Sequence, residues 1–131
     1  MPERLLIVSN RLPITVRLEE GSVRLINASG GVATGLRGCH ERSNGAWLGW
    51  PGDLSRLTLP QRRDLDRRFA EQRIVPVELS PGEVRRYYEG FSNGVLWPLL
   101  HYLLDRIPVG QSDWETYQQV NAKFADAIVR A

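Results

Sequence analysis

The sequence predicts an α/β fold built on a parallel sheet, and three observations carry that expectation. Leu5 to Val8 form an unbroken apolar run bounded by polar residues, the pattern of a strand covered on both faces. Strand-like and helix-like stretches then alternate with short connections, as in a doubly wound layer rather than a helical bundle. Ser80-Pro81-Gly82-Glu83 and Ser112-Asp113-Trp114-Glu115 both show the Ser-x-x-Glu spacing of a capping box, which marks two helix starts.

Taken in order, the first apolar run predicts the central strand. "ITVRLEE" and "SVRLIN" alternate with a period of two around Glu20-Gly21, which predicts a hairpin projecting from the sheet. In "ASGGVATGLRGCHE" a Ser-Gly-Gly turn leads into a helix starting near Gly31, with Val32, Leu36 and Cys39 at helical spacing. "GAWLGWPG" reads as a short aromatic strand stopped by Pro51-Gly52. "LPQRRDLDRRFAEQ" has Pro60 in its first turn and Leu65 and Phe69 on one side of a helix. Arg62, Arg63, Arg67 and Arg68 lie elsewhere on the cylinder, where they suit a solvated face or an anion patch. "RIVPVEL" reads as a strand in which Pro76 argues against a fully paired central place. The last helix sets Trp114, Tyr117, Val120, Phe124 and Ile128 at steps of three and four, an inward aromatic stripe. After "ADAIVRA" the alternation predicts another buried strand, so the sequence reads as incomplete.

Bulk properties set limits on function. At 131 residues the chain makes one domain or part of one. A formal charge of +2 gives no argument for a nucleic-acid or membrane partner, and sixteen arginines against the single Lys123 follow base composition as readily as function. Cys39 is alone and His40 and His101 are far apart, which argues against disulfides and metal clusters and fits a reducing cytoplasm. No run reaches the length of a membrane span, and no signal-like segment precedes the first strand.

Ligands of open α/β sheets collect beyond the carboxyl ends of strands, where Ser9-Asn10-Arg11 falls. A guanidinium there suits phosphate through two parallel hydrogen bonds, or equally an internal carboxylate. Gly30-Gly31 before a helix lets a phosphate approach backbone amides at the positive end of the dipole, though such a pair also serves as a plain turn. It is neither a Walker loop nor a G-x-G-x-x-G fingerprint. "YYEGFSNGVLWPLLHY", residues 87 to 102, is dense in aromatic side chains with polar tips, which suit a sugar ring and equally a core helix pair burying Phe91, Leu96, Leu99 and Leu100.

In this order, "VSNRLP", "SGGVATGL", "WLGWPG", "YYEGFSNGVLWPLLHY" and "WETYQQVNAKFADAI" closely resemble the N-terminal part of the trehalose-6-phosphate synthases, retaining glycosyltransferases of family 20. The resemblance runs across essentially the whole chain. It implies a GT-B architecture of two Rossmann-like domains, residues 1–131 being an incomplete part of the acceptor-side domain. It implies transfer of glucose from UDP-glucose to glucose 6-phosphate with no metal or other cofactor, and it leaves open homo-oligomerisation of the full-length protein. Carried over position by position, Arg11 corresponds to the arginine holding the acceptor's phosphate, and Tyr88 and Trp97 to acceptor-site residues. Gly30 and Gly31 correspond to loop glycines near the donor's diphosphate, and Trp50 to a lining residue.

The resemblance also implies that no catalytic residue lies within this chain. The family's "HDYHL" segment, expected just after "ADAIVRA", and the C-terminal domain are absent from the sequence. Three other readings remain. One is a sister transferase with another phosphorylated acceptor, as in glucosylglycerol-phosphate synthase. A second is a noncatalytic sugar-phosphate-binding module. The third is a poorly folding fragment with exposed sheet edges.

Overall fold

The computed structural model describes residues 4–102 and 110–131. They fall into two compact units, Met1–Glu78 with Ala127–Ala131, and Leu79–Asp126. No helix among the described residues is long and apolar enough to cross a membrane.

The first unit contains β1 (Leu6–Arg11), β2 (Ile14–Glu19), β3 (Ser22–Asn27), α1 (Gly31–Arg42), β4 (Ala46–Trp50), α2 (Leu59–Glu71) and β5 (Ile74–Pro76). β1, β4 and β5 make a parallel sheet in the order β1-β4-β5, with Leu6 opposite Ala46 and Trp47 opposite Ile74. The α/β class with a parallel sheet core and an N-terminal hairpin is therefore as expected. Pro76 lies on an edge strand, where a residue without an N–H is tolerated.

Two details of the sheet differ from expectation. β4, buried along Ala46 to Gly49, is the middle strand, and β1 is an edge strand among those described. β1 is also covered on one face only. Ile7 enters the core, while Val8, whose side chain alternates to the other face, is 45% exposed. The run of apolar letters could not report this, because an edge strand can be as apolar as a central one.

β4 can lie beside β1 because glycine stands at two points of closest approach. A Cβ at Gly45 would sit 1.4 Å from the Leu5 carbonyl oxygen, and one at Gly49 would sit 2.8 Å from that of Ser9. The core beneath holds Ile7, Leu12, Ile14, Trp47, Leu54, Leu65, Phe69 and Ile74. Trp47, fully buried, donates its Nε1–H to Ser9 Oγ at 2.8 Å, so the large ring is packed and its donor satisfied.

The β2–β3 turn places Glu20 and Gly21 at φ of 50° and 75°, the positive values that a two-residue hairpin turn requires. The hairpin does not project freely as the sequence suggested. Ile14 enters the core, Val16, Val23 and Leu25 pack against it, and α2 reaches over through Arg68 Nη1 to the Val23 carbonyl at 2.7 Å. Gln61 Nε2 likewise donates to the Gly21 carbonyl. One apolar face on a two-stranded ribbon has to be covered by another layer, and α2 supplies it.

α1 starts at Gly31 as expected, but its inward face is not the expected one. Val32 is 61% exposed, and Leu36 and Cys39 are exposed too, whereas Ala33 and His40, seven residues apart, are buried. α2 is capped by Thr58, which accepts from Gln61 N while Gln61 Oε1 accepts from Thr58 N. Three of its four arginines pair with carboxylates: Arg67 with Asp64 and Glu71, Arg68 with Asp64, and Arg62 with Glu78.

The second unit runs through α3 (Pro81–Val84), a π-helical segment (Arg85–Leu96), α4 (Trp97–Leu100) and α5 (Gln111–Arg130), whose residues from Ala127 on belong to the first unit. Ser80 forms the expected capping box, accepting from Glu83 N at 3.1 Å while Glu83 Oε1 accepts from Ser80 N at 2.9 Å. The second expected box is not formed. α5 already begins at Gln111, so Ser112 lies inside the helix, where its carbonyl accepts from Thr116 Oγ1, and Glu115 accepts from Gln111 Nε2 instead. α5 buries Val120 and Phe124 from the expected stripe, together with Thr116, while Trp114 remains 44% exposed.

Two outcomes follow for stability. Gly45→Ala forces β1 and β4 apart and should cost about 3 kcal/mol, whereas Gly35→Ala, in open space on α1, should gain about 0.5–1 kcal/mol. Denaturant midpoints of the two variants read the contrast. Glu83 is affected first by burial, which raises its pKa, but the hydrogen bonds from Lys123 and Ser80 outweigh this and leave it below the ordinary carboxylate value. A depressed folded-state pKa gives stability that is present above the unfolded value and lost as pH falls through the folded one. Lys123→Met should therefore lower stability near neutrality and flatten its decline in acid, seen in unfolding curves across pH 2–7, a range chosen as roughly that of carboxylate titration.

Candidate functional site

The end of β1 is fixed by its own short polar side chain. Ser9 Oγ donates to the Arg11 carbonyl and accepts from Trp47, the β1–β4 register shifts between Val8 and Arg11, and Leu12 N donates to the Trp50 carbonyl at 3.0 Å. This irregularity turns Arg11 out at the carboxyl end of β1, beside Trp50 at the same end of β4. The guanidinium carbon lies 4.9 Å from the Trp50 ring centroid, a cation–π arrangement that restrains an otherwise mobile side chain. Arg11 is exposed, and no carboxylate among the described residues pairs with it. Of the two partners the sequence allowed, the internal carboxylate is therefore not the one found. Trp50 Nε1 is buried and unpartnered among the described residues, which leaves an uncommitted donor beside the cation.

Gly30 is the N-cap of α1 and Gly31 its first residue. No side chain caps this end, and no acidic residue stands in its first turn, so its amides are not occupied from within. A Cβ at either glycine would meet nothing within 4 Å, and neither has a positive φ. Neither the fold's packing nor its backbone conformation demands glycine there.

Tyr88 and Trp97 belong to the second unit and are 38% and 52% exposed. The neighbouring Tyr87 faces the opposite way: it stacks on Tyr117 at 5.7 Å, and burial first, then Tyr117 and Tyr88, hold its phenol above the ordinary pKa. Phe91 packs 4.5 Å from Tyr117 and 5.1 Å from Trp114. The sequence alternatives for this stretch thus divide by residue: Tyr87 and Phe91 serve packing, and Tyr88 and Trp97 do not. Trp97 is backed by His101, whose ring lies parallel at 3.9 Å and whose Nδ1–H donates to the Trp97 carbonyl at 2.7 Å. That support was overlooked in the sequence, although the i,i+4 spacing of an aromatic pair signals it.

A concavity of about 280 Å³ in the first unit contains none of these residues; Asn27, Arg37, His40, Glu41, Gln72 and Arg73 line it in part. Its arginines are committed to main-chain carbonyls, Arg37 to Ala28 and Arg73 to Gly45 and His40, while His40 Nε2–H donates to Gln72. It is a scaffold joint. Among the described residues no cluster of three or more His, Cys, Asp or Glu could hold a metal ion.

Comparison with known proteins gives a consistent family. Residues 3–131 match the model of Glycosyltransferase family 20. The chain is 41% identical over 129 residues to the alpha,alpha-trehalose-phosphate synthase [UDP-forming] of Emericella nidulans, covering 95% of this chain and 25% of that protein. It is 40% identical over 131 residues to the trehalose-6-phosphate synthase of Mycolicibacterium gilvum, with the same coverages. The alpha,alpha-trehalose-phosphate synthase of Burkholderia xenovorans, solved in complex with glucose-6-phosphate, superposes with a TM-score of 0.65 at 31% identity over 98% of this chain and 25% of that one. An E. coli structure bound with UDP-2-fluoro glucose gives 0.62 at 28% identity, again over 98% and 25%. The chain thus spans about a quarter of the length of the relatives it matches. With a family model matched from residue 3 to residue 131 and a solved relative that superposes over 98% of it, the chain belongs to glycosyltransferase family 20.

Proposed function

We propose that the protein is a retaining glucosyltransferase that moves glucose from UDP-glucose to glucose 6-phosphate, giving trehalose 6-phosphate, and that this chain supplies acceptor-side residues of an N-terminal Rossmann-like domain. The observation that carries the reading is Arg11: an exposed guanidinium at the carboxyl end of a parallel strand, restrained over Trp50 and without a carboxylate partner among the described residues. A fixed, permanently charged fork of this kind matches a phosphate monoester. The printed names of the relatives, and the glucose-6-phosphate complex of one of them, support the same assignment.

In this reading Arg11 holds the acceptor phosphate, Trp50 restrains the guanidinium, and Tyr88 and Trp97 seat the sugar ring. Gly30 and Gly31 leave the first amides of α1 open to the donor's diphosphate, where the helix dipole favours negative charge. Retaining transfer without a protein nucleophile depends on holding the two substrates in register and on neutralising the departing diphosphate. In this reading the acceptor-side residues serve the first requirement, the open amides of α1 contribute to the second, and none of them is a catalytic group. A cytoplasmic location goes with phosphorylated substrates and a lone exposed cysteine, Cys39.

Isothermal titration of the protein tests the assignment. Glucose 6-phosphate should bind more tightly than glycerol 3-phosphate; the reverse order would assign the sister reaction, and binding of neither would remove the proposal. Arg11→Ala should weaken glucose 6-phosphate by about 2–3 kcal/mol, the range for truncating a charged hydrogen-bond partner, and leave UDP-glucose unchanged. Tyr88→Phe should cost the acceptor about 1 kcal/mol and the donor nothing. Equal losses for both substrates would indicate a folding defect instead.

A further inference from the structure

The π-helical segment decides which side chains share a face, and it does so differently from an α-helix. Trp97 N still donates to the Ser92 carbonyl, five residues back, so the i→i+5 ladder runs up to Trp97. With that ladder the nine residues from Tyr88 to Trp97 make about two full turns and return to one side. In an α-helix they would make about two and a half turns and lie on opposite sides. The inward face is set independently. Tyr87 and Phe91 pack on the rings of Tyr117 and Trp114, and a Cβ at Gly90 would come within 2.6 Å of Asp113 Oδ2. Away from that face Tyr88, Asn93 and Trp97 are all exposed.

Asn93 falls between the two rings on this stripe. Its carboxamide has no hydrogen-bond partner recorded among the described residues, and asparagine is a poor choice for a helix interior, where its side chain competes with the backbone. Nothing among the described residues accounts for it. We propose that Asn93 is a specificity-determining contact for the acceptor, its carboxamide bonding a ring hydroxyl of the sugar phosphate between the rings of Tyr88 and Trp97. Because His101 covers one face of Trp97, the sugar has the other face and the ring edge. An amide both donates and accepts, so it can read one hydroxyl in a defined orientation, which an aromatic face cannot do.

The inference rests on the acceptor assignment above, and the experiment separates the two. Glucose 6-phosphate and its monodeoxy analogues are titrated against the native protein, Asn93→Leu, which keeps the volume, and Asn93→Ala, with thermal unfolding as the control for fold. Both variants should unfold as the native protein does and bind glucose 6-phosphate roughly three- to tenfold more weakly, as expected for one lost neutral hydrogen bond. One deoxy analogue should bind the native protein that much more weakly than glucose 6-phosphate does, and the variants no more weakly. If both variants keep the native affinity, or keep every deoxy penalty, Asn93 does not read the sugar, while the acceptor assignment stands. If the native protein binds no glucose 6-phosphate, the assignment and this inference fall together.

Discussion

The close approach of β1 and β4 is the constraint on which the rest of the first unit depends. Two backbones meet at Gly45 and Gly49 with no room for a side-chain carbon. Their pairing sets Trp47 under Ser9 and Trp50 beside Arg11. A hydroxyl, two indoles and a guanidinium are thus ordered by one strand register. The register is in turn held by the core cluster that includes Trp47, in which Leu65 and Phe69 of α2 join Ile7 and Ile74. The chemistry at the strand ends and the packing under the sheet are therefore parts of one arrangement, and a disturbance at Gly45 would be felt at Arg11.

The second unit meets a comparable requirement with a different device. A π ladder is rarely stable over more than a turn, because its axis is loosely packed and its side chains are awkwardly spaced. Here twelve residues keep it. What compensates is contact on the inward side: Tyr87 and Phe91 against Tyr117 and Trp114, with the Asp113 carboxylate close over Gly90. Pro98, which cannot donate, stands in the first turn of α4, immediately past the segment. Side chains ten residues apart in the chain then serve opposite purposes according to face, with Tyr87 half-buried in packing and Trp97 presented on the surface.

Much of this was legible in the sequence, and the misses share a physical cause. Strands and helices follow from periodicity and caps, and the Ser80 box and the Glu20-Gly21 turn stand where the local chemistry requires them. Periodicity does not say which neighbour covers a face. Val32 and Leu36 have the spacing of a buried stripe and lie exposed, while Ala33 and His40 are buried because α1 meets Trp47 on that side. β1 was read as central from its apolar letters, but strand order depends on pairing between distant segments. Ser112 carries the letters of a cap, yet α5 begins one residue earlier. The π ladder has no letter signature at all, so the shared side of Tyr88 and Trp97 could not be read from their spacing.

Glycine separates the two kinds of demand that shape this chain. At Gly45 and Gly49 the neighbouring backbone leaves no alternative, and at Gly90 the Asp113 carboxylate occupies the space. Gly21 is required by the sign of its φ. At Gly30 and Gly31 none of these reasons applies: the space is open and φ is not positive. In the function proposed above, these two glycines answer instead to the donor's diphosphate. The open amides of an uncapped helix end suit such a group, which carries negative charge and would lie close to the main chain. The same elimination applied to Asn93, an amide uncommitted on an exposed stripe, is what supports the neutral, hydroxyl-bearing partner proposed for it.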